Sequence, residues 1–303
     1  MSLIVRAEWL KMTGNRWLVG CLIWIWPLAA LAIAGLLWVS VLLSPPTRDA
    51  LIENPQQWTD ASLLVWTVPN SIIGRLLIVG FTTVLFAGEY QWGTWKNMLM
   101  RRDRMTLILT KFITLATFII IAFGLTSIIW VVGLGLVQFT ASGTYPPALD
   151  NIPPDYVWRL GLQIFNAFVS SLIIAGIAAL AALLTRSILA SLVLGVSATL
   201  IDGFIAAGLV ILYAYTDIRV FPSLYRFSIS YNVDNLLNWA NFQASTNVMG
   251  NIELRDNPVF GDLMISPPLE GNALWVSMVL LLAWMGILVG LAIFSFNRQD
   301  LDT

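Results

Sequence analysis

Six long apolar runs divide the chain, and prolines or charged residues separate each run from the next. The runs cover residues 17–43, 72–88, 112–137, 160–184, 187–213 and 273–296. A transmembrane helix rises about 1.5 Å per residue and takes about 17–25 residues, so each run is long enough to cross a membrane. The pattern therefore predicts six transmembrane helices and puts both termini on the same side of the membrane.

Composition agrees with a membrane environment. The chain has 303 residues, of which 58% are hydrophobic and only 11% are charged. A soluble domain carries about 25% charged residues and could not cover itself with so few. We therefore predict an all-α integral membrane protein, with residues 1–303 forming a single transmembrane domain.

Basic residues are unevenly divided between the two sides. If both termini are cytoplasmic, ten of the Lys and Arg residues that connect or precede the spans lie on the cytoplasmic side and five lie on the opposite side. Positive charge favours the cytoplasmic side of a membrane, so the distribution predicts cytoplasmic termini. The outer segments are then residues 44–71, 138–159 and 214–272, and the last of these is the longest.

Two shorter helices are predicted at the membrane surface. Residues 1–16 place Leu3, Ile4, Ala7 and Leu10 at helical spacing, which is typical of an amphipathic interfacial helix. Within the long outer segment, the stretch VDNLLNWANF, residues 233–242, also favours a short helix lying on the membrane.

Several kinds of chemistry are excluded by residues that the sequence lacks. Histidine is absent and Cys21 is the only cysteine, so neither a Cys/His metal site nor a histidine-based triad can form. None of the three lysines follows a glycine, so the chain has no Gly-Lys-Ser/Thr phosphate-binding loop. We predict no catalytic, metal-binding or cofactor-binding residue and no nucleic-acid partner.

The segment between the second and third runs, FAGEYQWGTWKNMLMRRDRMTLILTKF, is rich in positive charge. Glu89 stands where the second run ends, Gly93 permits a sharp turn and Thr94 can cap a new helix. In that helix Trp95, Met98 and Leu99 share one face. This apolar face suits either the lipid surface or a groove on a partner protein.

The same segment resembles the permease subunits of ATP-binding-cassette (ABC) transporters of the type-2 exporter class. These subunits carry an acidic residue at the end of span two, then a Gly-Thr pair, a short helix, an Arg and a Lys. Here Glu89, Gly93-Thr94, residues 95–100, Arg104 and Lys111 follow in that order. The start of the chain, RAEWLKMTGNRWL, is also similar to that family. The proline that often precedes the Arg is missing, since this chain reads RRDR.

The resemblance implies a function. The short helix between spans two and three would be a coupling helix that docks on a separate ATPase subunit, which binds ATP and Mg²⁺. Two permease copies, identical or paralogous, would share the transporter in a bacterial or archaeal plasma membrane, and the direction of transport implied is export. The coupling residues implied are Glu89, Gly93, Thr94, Trp95, Met98, Leu99, Arg104 and Lys111.

Two charged residues, Arg75 and Asp202, lie inside predicted spans. A charge in a membrane needs a partner or water, so the two are candidates for an ion pair, although their depths differ by about 10 Å. Intramembrane charges are also typical of the alternative function, a secondary transporter or channel that works alone. Copurification of an ATPase would separate the two functions.

Overall fold

A computed structural model describes residues 2–14, 20, 24–93, 95, 103–216, 218, 220–246 and 270–299. Within those ranges the regular secondary structure is α-helical, apart from one short 3₁₀ turn and the π-helical residues Gly20 and Trp24, and no strand occurs. The helices are α1 (Ser2–Gly14), α2 (Ile25–Leu43), α3 (Pro45–Glu53), α4 (Trp58–Val65), α5 (Ile72–Gln91), α6 (Arg104–Ser142), α7 (Tyr156–Thr185), α8 (Ile188–Thr216), α9 (Val220–Tyr225), α10 (Ile229–Phe242) and α11 (Leu274–Asn297).

Six of these helices are long and apolar enough to cross a membrane, namely α2, α5, α6, α7, α8 and α11. The predicted all-α fold with six spans is therefore confirmed. The third span differs most in length, because α6 begins at Arg104 rather than at residue 112 and continues to Ser142. Its polar first turns stay helical because Thr110 and Lys111 are buried inside the protein rather than exposed.

Helix α2 shows how the chain meets lipid. Leu28, Leu31 and Leu36 are exposed along it, whereas the small residues Ala30 and Ala34 face the protein. A Cβ placed on Gly133 of α6 would lie 2.6 Å from the Cβ of Ala34, so glycine is needed for this close approach. Large apolar side chains thus turn outward, as expected where the surroundings are hydrocarbon.

The chain divides into two compact units. The first contains Met1–Phe81 and Met105–Phe168, and the second contains Thr82–Arg104 and Val169–Thr303. In the first unit, Gln138 near the end of α6 donates to the carbonyl of Leu51 and accepts from the backbone N–H of Gln56. These bonds attach the segment between α2 and α5 to α6.

In the second unit, α10 contains the helix predicted for residues 233–242. The stretch predicted to lie on the membrane surface is helical, but Val233, Leu236 and Ala240 are buried in the protein. Asn235, also buried, donates to the carbonyl of Asn272 (2.9 Å) and to Ser277 Oγ (2.8 Å) at the start of α11. The helix thus has polar partners inside the fold and packs against α11, and its predicted position at the membrane surface stays a prediction.

Candidate functional site

The backbone turns sharply just after α5, where the sequence predicts a turn. Gly93 has φ of 63°, a left-handed conformation that side chains with a Cβ rarely adopt, and its N–H bonds to the carbonyl of Tyr90 (3.2 Å). The ring of Trp92 folds back over Gly88, where an added Cβ would come within 2.9 Å of it. Two glycines thus shape the exit from α5.

Glu89 lies in the last turn of α5 and is buried. Thr94, Met98 and Leu99 lie outside the described residues, as does most of the predicted coupling helix. The placement of the predicted coupling residues can therefore be followed at Glu89, Gly93, Trp95, Arg104 and Lys111.

Trp95 is turned into the protein. Its side chain is 2% exposed, whereas Trp92, three residues earlier, is 56% exposed. The ring centroid of Trp95 lies 4.4 Å from that of Phe296 and 5.7 Å from that of Tyr90. Its surface is covered by its own chain, so we reassign Trp95 from a contact with a partner protein to internal packing against the end of α11.

Arg104 binds the last turn of α11. Its Nη1 donates to the carbonyl oxygens of Phe296 (2.9 Å), Asn297 (3.0 Å) and Gln299 (2.6 Å). The final carbonyls of a helix lack partners within it and carry partial negative charge, so a guanidinium stabilises them.

Gln299 completes this arrangement. Its Oε1 accepts a hydrogen bond from the hydroxyl of Tyr90, and its Nε2 donates to the carbonyl of Leu183 in α7 (2.5 Å). We call Tyr90, Trp95, Arg104, Phe296 and Gln299 the α11 clamp. Phe296 and Gln299 were missed from the sequence, because nothing local in an apolar run marks which distant segment it contacts.

Lys111 lies in a second polar contact. Its side chain is 0% exposed, and its Nζ lies 3.5 Å from Oε2 of Glu8, which is 5% exposed. Next to this pair, the rings of Trp9 and Phe118 stack with centroids 4.3 Å apart and planes within 6°. A buried ion pair and a stacked aromatic pair therefore join α1 to α6. On the other side of α1, Leu10 is exposed, so its predicted interfacial position stays a prediction.

The two intramembrane charges lie in different units. Arg75 is a buried residue of α5 in the first unit. Asp202 of α8, in the second unit, accepts from Ser230 at the start of α10, through Oγ (2.5 Å) and the backbone N–H (3.3 Å). Asp202 thus attaches α10 to α8, and its pairing with Arg75 stays a prediction.

Two tyrosines outside the spans have shifted acidities. Burial raises the pKa of Tyr145 to about 12. Burial also raises the pKa of Tyr231, whose hydroxyl donates to the carbonyl of Thr246 (2.9 Å). Both phenols are therefore neutral at physiological pH, and Tyr231 acts as a structural hydrogen-bond donor near α10.

Comparison with known proteins gives a family. The model of the ABC-2 family transporter protein matches residues 4–212, well over half of the chain. The match runs from α1 into α8 and includes Glu8, Glu89, Gly93, Arg104 and Lys111. Comparison with curated proteins gives no match. On the extent of the family match, this multi-pass membrane protein belongs to the ABC-2 transporter family.

Proposed function

We propose that this chain is the permease subunit of an ABC exporter, and that residues 92–103 transmit the movement of a separate ATPase subunit to the spans. Family membership supports a role as the membrane component of a transporter. The chain has no Gly-Lys-Ser/Thr loop for ATP. In this proposal, energy from ATP enters through a contact with another chain.

The α11 clamp is the observation that carries this proposal. Trp95 lies within the segment 92–103 and Arg104 directly follows it, and both contact the end of α11. Force applied to the segment would reach this helix through a ring contact and three hydrogen bonds. Helices and packed side chains are the elements that carry such coupling in proteins.

The ion pair of Lys111 with Glu8 also supports transmission of movement from the segment 92–103 to the spans. It lies two turns beyond Arg104 on α6 and joins that helix to α1. A movement at the start of α6 would thus also act on α1. A buried ion pair is weak evidence of stabilisation, and an ionisable residue in a membrane segment is a candidate for a functional role.

The individual roles follow from this arrangement. Gly93 sets the turn into the segment, Thr94 caps the coupling helix, and Met98 with Leu99 contacts the ATPase. Glu89 lies buried at the hinge with α5, whereas Trp95 and Arg104 pass movement on to α11. We propose cytoplasmic termini in a bacterial or archaeal plasma membrane, and two permeases, identical or paralogous, with two ATPases.

Substitution of Met98 and Leu99 by Ser tests the contact with the ATPase. The variant keeps every charge, and we expect the ATPase subunit to be lost on copurification or to hydrolyse ATP without response to the permease. The matched control is Arg101→Gln with Arg102→Gln, which removes charge and keeps the apolar face. The proposal is contradicted if the Ser variant retains the ATPase and its normal hydrolysis while the Gln variant loses them, because the segment would then be an electrostatic anchor.

Thiol labelling tests the orientation. Single cysteines at Asp60, Asp150 and Asn241, in a Cys21→Ser background, should react with an impermeant reagent added outside sealed cells. A cysteine at Asp103 should react only after the membrane is opened. Labelling at Asp103 in sealed cells would reverse the proposed orientation.

A further inference from the structure

A groove of about 530 Å³ lies between the end of α7 and the end of α11. Its wall is apolar and its rim is polar. The lining residues are Leu180, Leu184, Arg186, Leu291, Phe294, Ser295, Arg298 and Gln299.

Both arginines stand directly after a membrane-spanning helix. Arg186 follows the last residue of α7, Thr185, and Arg298 follows the last residue of α11, Asn297. Arg186 has φ of 53° and closes α7 through its N–H bond to the carbonyl of Ala182 (3.0 Å). Two arginines therefore stand where two membrane-spanning helices end, the depth at which headgroups are expected.

The wall below the arginines faces hydrocarbon. Leu184, Leu291 and Phe294 are 64%, 45% and 52% exposed, which suits contact with an acyl chain. The bond from Gln299 to the carbonyl of Leu183 holds the two helix ends in register. The groove thus lies between two helix ends that a hydrogen bond joins.

The two charged residues among those described in the groove are basic. Arg186 and Arg298 line it, and none of its described lining residues is acidic. Asp300 and Asp302 follow in the sequence and lie outside the described residues. A guanidinium matches the geometry of a phosphate and binds it with two hydrogen bonds.

We propose that this groove binds one anionic phospholipid, with its phosphate between Arg186 and Arg298 and an acyl chain along Leu184, Leu291 and Phe294. Basic pockets between spanning helices are suited to such headgroups. The bound lipid would brace α7 against α11 at the ends that Gln299 already joins. The inference depends on the membrane fold and not on coupling to an ATPase.

Native mass spectrometry of the full-length chain in detergent tests this, with phosphatidylglycerol or phosphatidylcholine titrated against it. We expect the first lipid molecule to bind more tightly when it is phosphatidylglycerol than when it is phosphatidylcholine. Each arginine near a membrane surface is worth about fivefold in binding, so Arg186→Gln with Arg298→Gln should weaken phosphatidylglycerol about 25-fold and leave phosphatidylcholine unchanged. The control, Arg6→Gln with Lys11→Gln, removes the same charge from exposed positions on α1.

Three results would overturn the proposal. Equal weakening in both double variants would mean that only net charge matters. Equal binding of the two lipids to the unaltered chain would mean that the groove binds acyl chains without recognising the headgroup. Unchanged phosphatidylglycerol binding with a lower melting temperature in the groove variant would mean that the arginines only cap their helices.

Discussion

The two ends of α11 are held in different ways. At its first turn, Asn235 of the nearby α10 donates to the carbonyl of Asn272 and to Ser277, and it accepts from the backbone N–H of Thr246 (2.7 Å). At its last turn, the partners are Trp95 and Arg104, from a segment almost two hundred residues earlier. One end is fixed by its sequence neighbours, and the other is attached to the segment that we propose to move.

The two attachments also differ in what release would cost. Asn235 is fully buried and neutral, so breaking its bonds leaves donors and acceptors without water. Arg104 is only partly buried, and its guanidinium can exchange carbonyl partners for water at small cost. The comparison indicates that the first turn of α11 is a fixed point and the last turn a movable one.

The largest expected loss of stability comes from a contact that is both charged and fully buried. Lys111→Met leaves the Glu8 carboxylate, 5% exposed, without this cation. Removing one partner of a buried pair costs about 3–5 kcal/mol. We expect the free energy of unfolding, measured in mixed micelles, to fall by this amount. Glu8→Gln added to Lys111→Met should restore much of the loss. A cost under about 1 kcal/mol for the single variant would show that the pair is hydrated rather than buried.

Breaking the fixed end of α11 should have the next largest effect. Asn235→Ala strands the N–H of Thr246 and removes both donors to the start of α11, so we expect a loss of about 2–3 kcal/mol. The control on the same helix is Asn238→Ala, whose exposed amide bonds the carbonyl of Ala244. Its loss should stay below about 1 kcal/mol. Similar losses of stability in both variants would contradict the claim that Asn235 fixes the first turn of α11.

The smallest effect concerns the turn into the movable segment. Gly93→Ala places a Cβ at φ of 63°, where no neighbour lies within 4 Å, so the cost is backbone strain of about 1 kcal/mol. Gly124→Ala, in α6 and equally open, should instead gain about 0.5–1 kcal/mol from helix propensity. Opposite signs of the two changes in melting temperature would check this, and a stabilising Gly93→Ala would contradict the observed turn.

Sequence reasoning reached the fold class and the turn but not the contacts. Run length predicts six spans because a bilayer imposes that length on any helix that crosses it. Glu89 and Gly93 were visible because acidic residues and glycines stand out in apolar sequence. The partners Glu8 for Lys111, and Phe296 for Trp95, depend on tertiary packing, which no local pattern encodes. The packing of α10 was not predicted for a related reason, because Asn235 looks like a solvent-facing residue until its buried partners are known.

The central claim is that ATP-driven movement reaches α11 through residues 92–103, and one labelling experiment tests it directly. A cysteine replaces the exposed Asn297 at the end of α11 in a Cys21→Ser background, and its rate of reaction with a thiol reagent is measured in the complex with the ATPase, with and without ATP. We expect ATP to change this rate, and Arg104→Gln to reduce the change about tenfold while the ATPase still binds and hydrolyses ATP. Arg48→Gln is the control, because Arg48 also donates to a carbonyl, that of Ala141 (3.3 Å), and it should leave the response intact. An ATP response that persists in Arg104→Gln, or is absent from the unaltered complex, would contradict transmission through the α11 clamp.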